Sequence, residues 1–118
     1  MPPAKTKFIT FIQTKILMAA FVYILTNYHK TILYTGSTID LPLRLQQHAN
    51  GKFPGFSKKY RCHYLVYYEK YDDINLAISR ERQIKKWNRK KKEQLINRFN
   101  PEWKFLNKSV HQLEKEDL

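Results

Sequence analysis

Two short β-rich runs separated by a polar turn constrain the fold most. The first run, Phe21–Thr26, is almost wholly apolar, and the second, Ile32–Ser37, is rich in β-branched and aromatic residues. The residues between them, Asn27–Lys30, are polar and typical of a turn. Such a pair of runs predicts an antiparallel hairpin. Gly36 is expected to end the second strand, where the backbone needs a close approach or an unusual φ.

A helix and a third strand are predicted after the hairpin. Asp40 is a good N-cap and Pro42 suits the first helical turn, so a helix is predicted from there to about Asn50. Gly51 then stops this helix and opens a basic loop. The run Cys62–Tyr71 is rich in Val, Leu and Tyr, which predicts a third strand, expected at the centre of the sheet.

Two further helices complete the predicted fold. One begins at Asp72 or Asp73 and runs to about Trp87, and the next covers Arg89–Phe99, with Pro101 ending it. The resulting order ββαβαα predicts an α+β fold: a small three-stranded antiparallel sheet flanked by helices.

The length of 118 residues fits one domain, predicted over residues 18–108. A chain starting at Met18 would open directly on the first strand. Residues 1–17 are therefore predicted to be a flexible or misassigned N-terminal extension. Residues 109–118 are polar and slightly acidic, and are predicted to form a tail.

Two observations bear on the compartment. Cys62 is the only cysteine, which excludes an internal disulfide and a cysteine zinc cluster and favours the cytoplasm. The stretch Phe8–Leu25 is largely apolar and resembles a weak signal or anchor. Gln13 and Lys15 interrupt it, so neither a membrane span nor a membrane partner is predicted.

The net charge of +12 points to a polyanionic partner, with nucleic acid as the default. Between Arg80 and Lys92 the chain carries eight basic residues and one carboxylate. Such a patch binds the phosphates of a nucleic acid independently of its base sequence. Phe56 and Trp87 are candidates for stacking on bases. The residues predicted to bind nucleic acid are Lys58, Lys59, Arg80, Arg82, Lys85, Lys86, Arg89, Lys90 and Lys91.

Several polar residues interrupt apolar patterns. Ile74, Ala77 and Ile84 define the buried face of the second predicted helix, and Glu81 lies on the same stripe. A carboxylate facing a core is costly unless it is paired, here by Arg80 or Arg82, or bound to a metal.

Arg44 and His48 interrupt the first predicted helix in a similar way. They lie one turn apart, close to the apolar face of Leu41 and Leu45. The ordinary interpretation is an arginine snorkelling at the edge of the core and a histidine that fills space. Tyrosines on half-buried strands, such as Tyr23, are ordinarily core residues.

Taken together, these residues resemble a known family. VYI at 22–24 and YTG at 34–36 resemble the two half-motifs of the GIY-YIG nuclease superfamily. The similarity spans residues 20–103 and is greatest to the small stand-alone, single-domain bacterial members, through RERQIKKW at 80–87 and NPEW at 100–103. The resemblance implies the GIY-YIG fold and a metal-dependent endonuclease of low intrinsic sequence specificity that hydrolyses phosphodiester bonds.

The resemblance also implies a role for each residue. Glu81 would hold one Mg²⁺ or Mn²⁺ ion, and Arg44 would stabilise charge on the phosphate. Tyr23 is the leading candidate for general base, which requires nearby positive charge to lower its pKa. Tyr34 is the alternative base or orients the water, and His48 would accept or relay the proton.

Other implications concern the substrate and further site residues. DNA is the favoured substrate, RNA is the alternative, and no small-molecule cofactor is expected. Some members of the family carry a downstream catalytic asparagine, for which Asn88 and Asn97 are candidates, and a lysine at the position of Ser37. Two other functions remain open: a non-catalytic nucleic-acid-binding module on the same fold, and an unrelated basic structural protein.

Overall fold

The fold is a three-stranded antiparallel sheet with helices on both faces. The structure is a computed structural model that describes the backbone of residues 19–116 and the side chains of residues 19–111. The predicted α+β class is confirmed, and the predicted extension at 1–17 lies outside the described residues. The elements in chain order are β1 (Ala20–Thr26), β2 (Leu33–Thr38), α1 (Leu41–Ala49), α2 (Phe56–Lys59), β3 (Tyr64–Tyr71), α3 (Ile74–Lys85), α4 (Arg89–Phe99) and α5 (Asn107–Glu116).

The strand order is β2-β1-β3, so β1 is the central strand. The prediction that the third strand is central was wrong. Tyr23 on β1 faces Gly36 of β2 on one side and Tyr68 of β3 on the other. The reason lies in burial: β1 is buried along nearly its whole length, whereas the second half of β3 is only partly covered.

Alternate residues of β1 supply two separate cores. Val22 and Ile24 point toward α3 and α4, and Tyr23 and Leu25 point toward α1 and α5, as the period of two in a strand requires. The first core contains Ala20, Val22, Ile24, Val66, Tyr67, Ala77, Ile84 and Ile96. The second contains Tyr23, Leu25, Leu41, Leu45, Cys62, Leu65 and Val110.

Side-chain caps fix the ends of the helices and the hairpin turn. Asp40 accepts a hydrogen bond from the Leu43 amide at 3.1 Å, and Asp73 accepts one from the Asn75 amide at 2.7 Å. Both predicted caps are therefore confirmed. The Asn27 carboxamide oxygen accepts from the amides of Thr31 and Ile32 at 2.9 and 3.0 Å. This bond pattern holds the β1–β2 turn in one conformation.

The chain beyond residue 108 is helical at its start. Val110 on α5 is buried in the second core, so the boundary predicted at residue 108 does not coincide with a structural break. Asn107 also ties α5 to the sheet, because it accepts from the Leu65 amide and donates to the His63 carbonyl. Within residues 19–116, no helix is long and apolar enough to cross a membrane.

Candidate active site

Gly36 on β2 leaves space for the ring of Tyr23, which lies on the neighbouring central strand β1. A Cβ atom built on Gly36 would lie 2.5 Å from the Cζ and hydroxyl oxygen of Tyr23. Only a residue without a side chain leaves room for the ring. The strand continues beyond this position to Thr38, so the prediction that Gly36 ends it was wrong. Gly36 is required for close approach and not for an unusual φ.

A buried hydrogen-bonded chain begins at the Tyr23 hydroxyl. This oxygen lies 3.0 Å from His48 Nε2, and His48 Nδ1 lies 2.9 Å from Ser57 Oγ. All three side chains are buried. Helix α1 brings His48 to the sheet, and the short helix α2 brings Ser57. The sequence gives no periodicity or motif that marks Ser57, so it was not predicted.

Burial sets the protonation of this chain at neutral pH. It lowers the pKa of His48 to about 4, with further lowering by the charges of Arg44 and His63, so the ring is neutral. Burial also raises the pKa of Tyr23, and Arg44 offsets only part of that rise. The positive charge of Arg44 by itself does not lower the pKa of Tyr23 below its usual value.

Tyr34 lies beside this chain but is more accessible. Its ring centroid is 5.4 Å from that of His48 and 6.4 Å from that of Tyr23. The half-buried Tyr34 also stacks on Phe56 at 6.4 Å. Burial raises its pKa, while the charges of Lys85 and Arg44 act to lower it. Water can therefore reach Tyr34 more readily than the fully buried Tyr23.

Arg44 supplies positive charge to the same place. Its guanidinium carbon lies 4.5 Å from the centroid of the Phe53 ring, which in turn lies 4.6 Å from His48. Among the described side chains, no carboxylate forms a salt bridge with Arg44. A half-buried guanidinium without a carboxylate partner is suited to binding an anion. Phe53, which positions it, was not predicted.

Glu81 reaches the edge strand β2 from α3. One carboxylate oxygen accepts a hydrogen bond from Ser37 Oγ, and the other lies 2.6 Å from Lys85 Nζ. The charge of Glu81 contributes to raising the pKa of both Tyr23 and Tyr34. The carboxylate is therefore paired by Lys85 and not by Arg80, which pairs with Glu69 instead.

The donor set at Glu81 suits one hard divalent cation. A single carboxylate completed by water is a common way to hold Mg²⁺. Among the described residues no group of three or more His, Cys, Asp or Glu side chains could hold a metal. Lys85 now occupies one oxygen, but half of its side chain is exposed and its stem is flexible. This oxygen of Glu81 is therefore paired by a half-exposed, flexible ammonium and not by a buried partner.

The predicted basic surface divides into two groups. Arg80 is held by Glu69 at 2.9 Å, and Arg89 donates to the carbonyls of Thr31 and Lys30 and pairs with Glu93. These two arginines stabilise the fold, so we remove them from the surface proposed to bind nucleic acid. The remaining predicted residues, apart from Lys85 at Glu81, are exposed: Lys58, Lys59, Arg82, Lys86, Lys90 and Lys91.

The two candidate asparagines have structural partners. Asn88 caps α4 by accepting from the Lys91 amide, and Asn97 accepts from the Trp103 indole. Trp87 packs against the first core, whereas Phe56 is about half exposed. Of the two aromatic candidates, only Phe56 is therefore free to contact a ligand near Tyr34.

The sequence of this chain matches a known protein family. Residues 19–94 match the family described as the GIY-YIG catalytic domain. The chain belongs to the GIY-YIG family. Its matched region contains Tyr23, Tyr34, Arg44, His48 and Glu81, and membership places the chain in a nuclease family whose substrates are nucleic acids.

Individual relatives share the name UPF0213 protein. The chain is 45% identical over 83 residues to one from Syntrophus aciditrophicus, covering 70% of this chain and 93% of that protein. It is 39% identical over 64 residues to one from Staphylococcus aureus, covering 54% of this chain and 78% of the relative. A solution structure of a UPF0213 protein from Bacillus halodurans matches with 32% identity and a TM-score of 0.44, over 68% of this chain and 84% of that one.

Proposed function

We propose that this GIY-YIG protein is a metal-dependent endonuclease that hydrolyses phosphodiester bonds in DNA with low intrinsic sequence specificity, in the cytoplasm. The observation that carries the proposal is the Arg44 guanidinium, which forms no salt bridge among the described side chains and packs on Phe53, whose ring lies beside those of Tyr34 and His48. RNA is the alternative substrate. An arginine at this place compensates the negative charge that grows on the phosphate oxygens during the reaction.

Glu81 is the residue proposed to hold the Mg²⁺ or Mn²⁺ ion. Such an ion would supply Lewis-acid polarisation of the phosphate and the leaving oxygen. Ser37 fixes the carboxylate by donating a hydrogen bond to one oxygen. Lys85, which pairs with the other oxygen, would favour negative charge on Tyr34, since its charge acts to lower the pKa of that residue.

Tyr34 is proposed as the residue that contacts the attacking water. It is half-buried, whereas Tyr23 is fully buried with its hydroxyl at His48. The neutral His48 ring would hold the Tyr23 hydroxyl in place through Nε2. This assigns the water-activating role to Tyr34 and a positioning role to the Tyr23–His48–Ser57 chain.

Two substitutions separate these roles. Tyr34→Phe should lower the single-turnover cleavage rate by about a hundredfold or more, the usual contribution of general acid–base catalysis, with little change in stability. Tyr23→Phe should instead lower the free energy of unfolding by about 1–3 kcal/mol, because it leaves the buried Nε2 of His48 without a partner. Rapid-quench cleavage and urea titration measure the two effects. Full activity in Tyr34→Phe together with an inactive, stable Tyr23→Phe would reverse the assignment.

The exposed lysines near the α3–α4 junction should provide binding without sequence preference. Replacing Lys86, Lys90 and Lys91 with Ala should weaken binding of unrelated DNA sequences alike and reduce the salt slope by about one for each phosphate that is no longer neutralised. Anisotropy titrations at several salt concentrations measure the slope. The matched control replaces Lys70, Lys104 and Lys108, which removes the same charge elsewhere. An equal decrease of slope in both triple variants would mean that only net charge matters.

The test of the proposed function is a cleavage assay over a panel of labelled DNA and RNA substrates: single strands, duplexes and branched junctions. We expect cleavage that requires Mg²⁺ or Mn²⁺ and stops in EDTA. One observation favours the alternative of a non-catalytic binding module, namely the Lys85 ammonium on Glu81. Binding without cleavage of any substrate, in either metal, would establish that alternative.

A further inference from the structure

A separate pocket opens at the end of the sheet next to the β1–β2 turn. Its volume is about 530 Å³, within the range of small-ligand sites. One wall is the turn, with Tyr28 and His29, and the other is the segment before β3, with Tyr60, Arg61 and His63. None of the lining residues is acidic. We propose that this pocket binds one unpaired nucleobase of the substrate strand.

The chemistry of the walls favours a nucleotide over other ligands. Tyr28 exposes 66% of its surface, and its ring lies 6.0 Å from that of Tyr64. An exposed aromatic face stacks on a base of any identity. Arg61 supplies a cation for a phosphate in the same pocket, which also disfavours a cationic ligand. The ligand that matches these walls therefore combines an aromatic ring with an anionic group, as a nucleotide does.

Hydrogen bonds hold both walls of the pocket in place. Asn27 fixes the turn from within, and Arg89 on α4 donates to the carbonyls of Lys30 and Thr31. Asn107 fixes the opposite wall by donating to the His63 carbonyl at 3.0 Å. Rigid walls reduce the entropic cost of binding, which favours a preformed site.

A row of rings connects the pocket to the candidate active site. Tyr60 in the pocket wall lies 4.6 Å from Phe56, and Phe56 stacks on Tyr34. Lys59 flanks this row, with its ammonium 5.4 Å from the Tyr60 ring. A base within a duplex is already stacked and paired, so only a single-stranded segment can follow these rings into the pocket. The inference deepens the proposed function, on which it rests, by naming substrates with unpaired nucleotides.

The test compares binding of a fluorescein-labelled oligothymidine of about 12 nucleotides with binding of a duplex of the same length, in EDTA to prevent cleavage. Tyr28→Ala should weaken single-strand binding about fivefold or more and leave duplex binding within about twofold. Tyr28→Phe keeps the ring and should bind like wild type. A 2-aminopurine in the strand should be quenched by wild type and Tyr28→Phe but not by Tyr28→Ala.

Each outcome decides the inference. Unchanged single-strand affinity in Tyr28→Ala, or an equal decrease on single strand and duplex, would overturn it. Because Tyr28 is exposed, its replacement should not affect folding, which circular dichroism checks. A wild-type protein that binds through Tyr28 but cleaves nothing would refute the proposed endonuclease and leave the pocket standing. Cleavage with no effect of Tyr28→Ala on binding would support the proposed endonuclease and refute the proposed base-binding pocket.

Discussion

Glu81→Gln should lower the cleavage rate by about a thousandfold or more and leave nucleic-acid binding intact. Metal stabilisation of the transition state is worth several kcal/mol, and each 1.4 kcal/mol is about tenfold in rate. The amide keeps the size of the side chain and can still accept a hydrogen bond from Ser37, but it holds a cation poorly. The exposed lysines that we propose to bind phosphates are unchanged.

Stability should change little in this variant. The ion pair that it removes, with Lys85, is half exposed on the lysine side and is worth at most about 1 kcal/mol. Glu93→Gln is the matched control, since Glu93 forms an exposed pair with Arg89 on α4. Cleavage rates, anisotropy titrations and urea unfolding should all be measured on both variants. If Glu81→Gln cuts as fast as Glu93→Gln, then Glu81 holds no catalytic metal.

Gly36→Ala should damage both stability and activity. The new methyl group would lie 2.5 Å from Cζ and the hydroxyl oxygen of Tyr23. This side chain is buried, and its hydroxyl is hydrogen-bonded to His48. Overpacking of this kind costs about 1–3 kcal/mol, because the ring or the edge strand must move. Movement of β2 also shifts Ser37, which anchors Glu81. Urea unfolding and cleavage assays should therefore show both decreases together.

A double-mutant cycle isolates the cause. In a Tyr23→Leu background the ring atoms nearest to Gly36 are absent, so Gly36→Ala should cost much less stability than in wild type. A coupling energy of about 1 kcal/mol or more would show that the contact with Tyr23 is the reason for glycine. Equal costs in both backgrounds would point to the backbone of β2 instead.

The local elements of the fold were open to prediction because short-range chemistry determines them. Asp40 and Asp73 cap their helices with their own side chains, and α4 occupies the predicted Arg89–Phe99. The order of the strands was not predictable in this way. Apolar composition marks both β1 and β3 as buried, and only their packing against α3, α4 and α5 decides which strand lies between two others.

In the candidate site, too, the sequence indicates individual residues, and the tertiary structure determines their contacts. The sequence alone marked Arg44, His48 and Glu81, because each places a polar group on a face that is otherwise apolar. The tertiary structure alone decided which side chains hold them: Ser57 at His48 and Ser37 at Glu81. Those two serines come from other elements of the fold, and the pattern within one helix or strand carries no information about which distant side chain reaches it.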